Sequence, residues 1–272
     1  MPAMQAQIDG ISLAYDDRGS GQPLLLVHGY PLSRRMWAPQ VAGLAATARV
    51  LAIDLPGHGD SSIGDQPVSM DSFADACAGL LDALGIQEPV VLGGLSMGGY
   101  VTFAFWRRHP QRVAGLILAA TRAGADSPEA RAGRETAMGT ARRAGVEAVV
   151  DSMLPKLLAP GGLETRPGLA AEVRGIMTGT PLAAMLGDLM ALRDRTDSTT
   201  TLATITVPTL VVHGESDQLI PMAEAERTAG TIPGAELVRI DQAGHLPNLE
   251  QPEAFNTALG AFLTRWTATT PP

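Results

Sequence analysis

The chain has 272 residues, 45% of them hydrophobic and 18% charged, which is enough apolar mass for one large core. Its formal net charge of -8 provides no basic field to hold a phosphate backbone and argues against a nucleic-acid partner. The single cysteine, Cys77, cannot close an intrachain disulfide and lies in an apolar-periodic stretch, where it reads as a small core residue.

The first seven residues carry neither the basic segment nor the apolar segment of a secretory signal, so cytoplasmic residence is the expectation. Residues 5–8 and 11–15 flank Asp9-Gly10, a hairpin signal that opens the chain with an antiparallel pair. Short apolar runs at 24–27, 50–54, 90–92, 113–119, 210–212 and 236–240 then read as buried strands, each bounded by turn residues. Helix-period segments at 36–46, 70–84, 97–108, 222–229 and 253–266 fill the gaps, with Pro110 and Pro233 marking two of their ends. This alternation predicts a mostly parallel sheet covered on both faces. No apolar run reaches the roughly 18 residues of a membrane span, there is no fixed-period repeat, and residues 267–272 read as a polar tail.

From 122 to 205 the rhythm breaks: the segment is rich in Ala, Arg, Gly and Met and reads as three or four helices without a β-run. It is expected to be a helical cap inserted into a core made of residues 1–121 and 206–272. Met138, Met153, Met177, Met185 and Met190 are candidates to line an adaptable apolar pocket, since thioethers fill irregular space; ordinary packing of cap on sheet is the simpler reading for most of them.

Chemistry concentrates in the loops after the strands. Gly94-Leu95-Ser96-Met97-Gly98 matches G-x-S-x-G between a strand and a helix, and the flanking glycines remove the Cβ atoms that would collide where strand and helix approach. Ser96 is the candidate nucleophile, and the amide of Met97, at the positive end of the following helix, is a natural donor to an oxyanion.

With these motifs the chain resembles the α/β-hydrolase family over essentially its whole length apart from the cap. The resemblance implies a mostly parallel eight-stranded sheet flanked by helices. Leu24 to Val27 runs into His28-Gly29-Tyr30-Pro31, and by the same resemblance the backbone N–H of Tyr30 is the second oxyanion donor. The His-Gly-x-Pro form is similar to that of epoxide hydrolases, dehalogenases and cofactor-free perhydrolases, and favours a cis Tyr30-Pro31 bond. The first two place an aspartate where this chain has Ser96, so an alkyl-enzyme ester does not fit.

Asp217, three residues after Gly214, stands where the family carries its acid, with Glu215 the nearest competitor; Gly244-His245 resembles the family's histidine loop. Of the five histidines only His245 follows both nucleophile and acid, in the order Ser, Asp, His that the fold imposes. His58 and Asp54 suggest a rival dyad, but the turn chemistry around Gly57 and Gly59 accounts for that segment.

The expected activity is hydrolysis of small to medium carboxylic esters or lactones through Ser96, His245 and Asp217, with no cofactor and no metal. Three alternatives share the same residues: a perhydrolase resembling the haloperoxidases, a hydrolase of C–C bonds, and a ligand sensor that retains the triad. The expected partner is a small-molecule substrate, and a homo-oligomer is compatible with the sequence. A basic cap residue such as Arg122, Arg142 or Arg143 facing Ser96 would favour a carboxylate-bearing substrate, and an all-apolar pocket a neutral ester.

Overall fold

The computed structural model describes residues 3–65 and 67–267, so the tail from 268 onward lies outside them. Strands β1 (Met4–Ile8) and β2 (Ile11–Arg18) form the expected hairpin, with φ of 49° at Asp9 and 83° at Gly10. Positive φ at both loop residues is what a type I′ two-residue turn, one of the two that match the natural strand twist, requires. The far edge of β2 pairs antiparallel with β4 (Arg49–Ile53). From there the sheet is parallel: β3 (Pro23–Val27), β5 (Val90–Leu95), β6 (Val113–Ala119), β7 (Thr209–Gly214) and β8 (Glu236–Ile240) complete eight strands in the order β1-β2-β4-β3-β5-β6-β7-β8.

The helices in chain order are α1 (Ala38–Leu44), α2 (Met70–Ala83), α3 (Met97–Arg108), α4 (Pro128–Leu157), α5 (Gly162–Thr165), α6 (Pro167–Thr178), α7 (Leu182–Arg193), α8 (Thr199–Leu202), α9 (Met222–Thr231), α10 (Pro247–Glu250) and α11 (Pro252–Thr267). Alternate strand residues feed opposite cores, as the two-residue period of a strand demands. Leu25, Val27, Leu51 and Ile53 pack with Phe73 of α2 and Phe103 of α3. Leu24, Leu26, Val50 and Ala52 pack with Trp37 and with Phe255 and Phe262 of α11. Each such fully buried aliphatic side chain stabilises the fold by roughly 1.5–3 kcal/mol. Cys77 is fully buried in the first core, and burial pushes its thiol pKa up to about 12.

Three expectations on element boundaries change. The single helix expected over 36–46 is a 3-10 turn, Arg34–Trp37, followed by α1, because Pro39 has no N–H to carry an α-helical ladder across the junction. β5 continues through Gly93 and Gly94 to Leu95, held on both sides by β3 and β6, where propensity alone would have stopped it. The insert between β6 and β7 contains five helical elements, of which α5 and α8 are single turns too short to show a period. α4 breaks at Gly145, whose φ of 78° and ψ of -172° no helix can continue.

Chain order places the chemistry. β3 neighbours both β4 and β5, so the strand order reverses there, and in an open parallel sheet a crevice forms beyond the carboxyl ends of strands at such a reversal. Val27 is in register with Gly94, so His28-Gly29-Tyr30 and Leu95-Ser96 leave the sheet side by side.

Candidate functional site

Ser96 caps the start of α3 with φ 55° and ψ -112°, a conformation that an L residue keeps only when its surroundings fix it. Its N–H donates to Ala119 O (2.9 Å), and its carbonyl accepts from Gly99 N–H (2.9 Å) and from the Thr121 hydroxyl (2.9 Å). A Cβ on Gly94 would overlap the Gly98 carbonyl, and one on Gly98 would overlap the carbonyl of Val27. These two glycines let helix and strand approach closely enough for the turn to exist.

His245 Nδ1 lies 2.8 Å from Asp217 Oδ2. The other oxygen of Asp217 accepts from the amides of Leu219 (2.8 Å) and Ile220 (3.0 Å). Burial disfavours the Asp217 charge, but His245 and these two amides outweigh it and hold the carboxyl below its ordinary pKa. His213 packs beside this pair, donating from Nε2 to Ile220 O (2.8 Å), and burial keeps it neutral by lowering its pKa.

Ser96 and His245 line one cavity of about 130 Å³, together with Tyr30 and Met97. As the first residue of α3, Met97 carries an amide with no acceptor inside the helix. The Tyr30-Pro31 bond is cis, as the sequence led one to expect. The remaining wall is Tyr100, Arg122, Arg134, Met153, Leu192, Leu219 and Ile220.

Other sequence candidates separate from this cavity. His58 is fully buried and its Nε2 faces Asp188 Oδ2 of α7 at 2.8 Å, so it ties the Asp54 loop to the insert. Asp54 accepts from the amides of Arg34 (2.7 Å) and Asp60 (2.9 Å) and pairs with the Arg34 guanidinium, a turn-stabilising role. His28 donates from Nδ1 to Gly29 O (3.0 Å) and accepts at Nε2 from Leu55 N–H (3.1 Å); its burial lowers its pKa well below the usual value. Glu215 does not line the cavity.

Of the five insert methionines only Met153 reaches the cavity; Met138, Met177 and Met185 are core residues, and Met190 is exposed. Arg122 faces it, whereas Arg142 and Arg143 are exposed.

Two residues carry no mark in the sequence. Arg134 sits in a charged helix where nothing in the local pattern marks it. Glu250 is buried, and its carboxylate accepts from Gly244 N–H (2.7 Å) and Ala159 N–H (2.8 Å), fastening the histidine loop to the end of the insert. The Glu at position 250, just ahead of Pro252, looks in sequence like an ordinary residue at a helix start.

A model of the alpha/beta hydrolase fold matches residues 22–252. The chain belongs to this family. It is similar to a thermophilic esterase from Thermogutta terrifontis whose solved structure has malate bound, at 38% identity over 98% of this chain and 99% of that one, with a TM-score of 0.93. It is also similar to the enol-lactonase of Burkholderia xenovorans LB400, at 30% identity over 96% and 100% of the two chains and a TM-score of 0.88. A non-heme haloperoxidase of Rhodococcus erythropolis is 33% identical over 85% of this chain and 88% of its own length. Among the described residues no single helix is long and apolar enough to cross a membrane.

Proposed function

We propose that the protein is a serine hydrolase of small carboxylic esters or lactones, with Ser96 as nucleophile, His245 as base and Asp217 as the acid that orients it. The observation that carries this reading is the 2.8 Å His245–Asp217 bond, made by an imidazole that shares its cavity with the strained Ser96. With Nδ1 committed to Asp217, Nε2 is the nitrogen left for the Ser96 hydroxyl. The kinship with an esterase and an enol-lactonase supports the same chemistry.

His245 Nε2 takes the Ser96 proton as Oγ bonds to the substrate carbonyl carbon, and the carbonyl electron pair moves onto oxygen. The amides of Tyr30 and Met97 stabilise that oxyanion, each contributing about 3 kcal/mol in sites of this type. The oxyanion collapses, the alkoxide leaves with the proton from His245, and an acyl-Ser96 ester remains. Water, deprotonated by His245, attacks this ester; the acid departs and the proton returns to Ser96. The cavity, at about 130 Å³, lies below the roughly 300–1,000 Å³ of common small-molecule sites, which favours short acyl groups.

Hydrolysis of 4-nitrophenyl acetate and butyrate tests the reading: multiple turnovers in the wild type and none in Ser96→Ala are expected. Stoichiometric release followed by arrest would instead indicate a sensor. The haloperoxidase relative favours a second reading, in which hydrogen peroxide replaces water on the acyl-enzyme and releases a peracid. Peracid-dependent bromination in acetate buffer with peroxide measures it.

A further inference from the structure

We infer that Arg122 and Arg134 form a binding subsite for a carboxylate carried by the substrate, so that the preferred ester or lactone is the half-ester of a short dicarboxylic acid or its cyclic equivalent. This rests on the hydrolase reading above and names its substrate class.

Both arginines line the cavity that holds Ser96, and both are anchored by Asp126, which is buried. Asp126 Oδ1 accepts from Arg122 Nη2 (2.9 Å) and Arg195 Nη1 (2.7 Å), while Oδ2 accepts from Arg134 Nε (3.0 Å). One carboxylate thus faces three guanidinium groups, an excess of two positive charges.

Arg195 accounts for its own place. It donates to Leu192 O and Gly124 O (2.8 Å each), and its guanidinium lies 4.3 Å over the Tyr100 ring. It is a structural cation, and Asp126 is its counter-ion.

Arg122 and Arg134 are then in surplus. A structural staple at the base of the insert needs one of them at most, because Arg195 already neutralises Asp126. Arg122 Nε is buried with no hydrogen-bond partner, a donor that a ligand would satisfy. Arg134 spends Nε on Asp126, which leaves its Nη pair to point elsewhere.

Nothing else on the cavity wall neutralises the two charges. Tyr100 offers Arg122 a hydroxyl and no carboxylate, Tyr30 is held as a neutral phenol by burial and by Asp188, and Asp217, which does not line the cavity, is committed to His245. The chain as a whole carries a charge of -8, so this positive wall is a local feature and not part of a general basic field. Paired guanidinium groups match a carboxylate in shape as well as charge. The small cavity limits the spacer between that carboxylate and the scissile carbonyl to a few carbons.

The test compares two methyl esters of nearly equal shape, monomethyl succinate and methyl 4-oxopentanoate, by pH-stat. In the wild type kcat/KM is expected to be at least about tenfold higher for the anionic ester, as a charge-assisted Arg–carboxylate contact would give. Arg122→Met and Arg134→Met should each cut that ratio about tenfold, through KM, and Arg122→Lys should restore part of it. Asp126 keeps two guanidinium partners in either single variant, which protects folding. A ratio near one in the wild type, or one unchanged in both variants, overturns the proposal while leaving ester hydrolysis intact. Should neither methyl ester be turned over, 4-nitrophenyl acetate judges the hydrolase reading separately, and calorimetric binding of succinate to Ser96→Ala judges the subsite. Binding that weakens about tenfold when Arg122→Met is added supports it, and no binding overturns it.

Discussion

Asp188 on α7 meets His58 across 130 residues of chain, and both side chains are shut off from water. His58 Nδ1 faces Pro56 O at 3.2 Å, an atom that can only accept, so Nδ1 must carry hydrogen and Nε2 depends on Asp188. Asp188→Ala removes that partner, strands Nε2 in a dry site and opens a void beside it, at a cost of about 3 kcal/mol. For a domain of this size that cost corresponds to a Tm lower by roughly 6–12 °C.

The pH dependence has a definite sign. Burial opposes charge on His58, but the Asp188 carboxylate outweighs it and raises the imidazole pKa; burial also raises Asp188, with His58 opposing only in part. Both groups hold protons more tightly in the folded chain than in the unfolded one. The His58 contribution is therefore fully present below the unfolded imidazole value, about 6.5, and fades as pH rises through the raised folded value, while the Asp188 contribution fades from its unfolded carboxyl value of 3.8 upward. The gap between wild type and Asp188→Ala should be wider at pH 6 than at pH 9 by scanning calorimetry. Asp188→Asn should cost under about 1.5 kcal/mol, because its amide can donate to the neutral ring. An Asp188→Ala Tm equal to that of the wild type, or a gap that widens toward alkaline pH, would show that the His58–Asp188 pair does not stabilise the fold in this way.

Asp217→Asn is expected to lower kcat by about 10³–10⁴ while the fold persists, because an amide no longer holds the required tautomer of His245; steady-state ester kinetics that match the wild type would move the acid elsewhere. Glu250→Gln replaces a carboxylate that receives the Gly244 and Ala159 amides with a group that has one acceptor oxygen, so one donor faces another. The loosened histidine loop should reduce kcat about tenfold with KM little changed, and equal losses in both parameters would assign Glu250 to substrate binding.

The strands were legible because each is a short apolar run between turn residues, and the Asp9-Gly10 hairpin because positive φ at both positions has few sequence solutions. The strand order is not carried by any local pattern: that β3 lies between β4 and β5 follows from crossovers packing on a twisted sheet. Ser96, Asp217 and His245 each sit in a loop with its own signature, and the fold brings the last two into hydrogen-bond contact. Arg134, Asp188 and Glu250 have no signature, since each matters only through a partner far away in sequence. The insert was legible as helical but not as to which side chains reach the cavity, because helical period alone does not tell Met153, at the cavity, from Met138, in the core.

The nucleophilic role of Ser96 is tested most directly by covalent labelling with a fluorophosphonate ester, a reagent that only an activated hydroxyl takes up readily, read by intact mass and peptide mapping. One adduct per chain is expected, on Ser96, lost in Ser96→Ala and slowed by orders of magnitude in His245→Ala. An adduct on any other residue, or undiminished labelling when His245 is removed, would contradict that role.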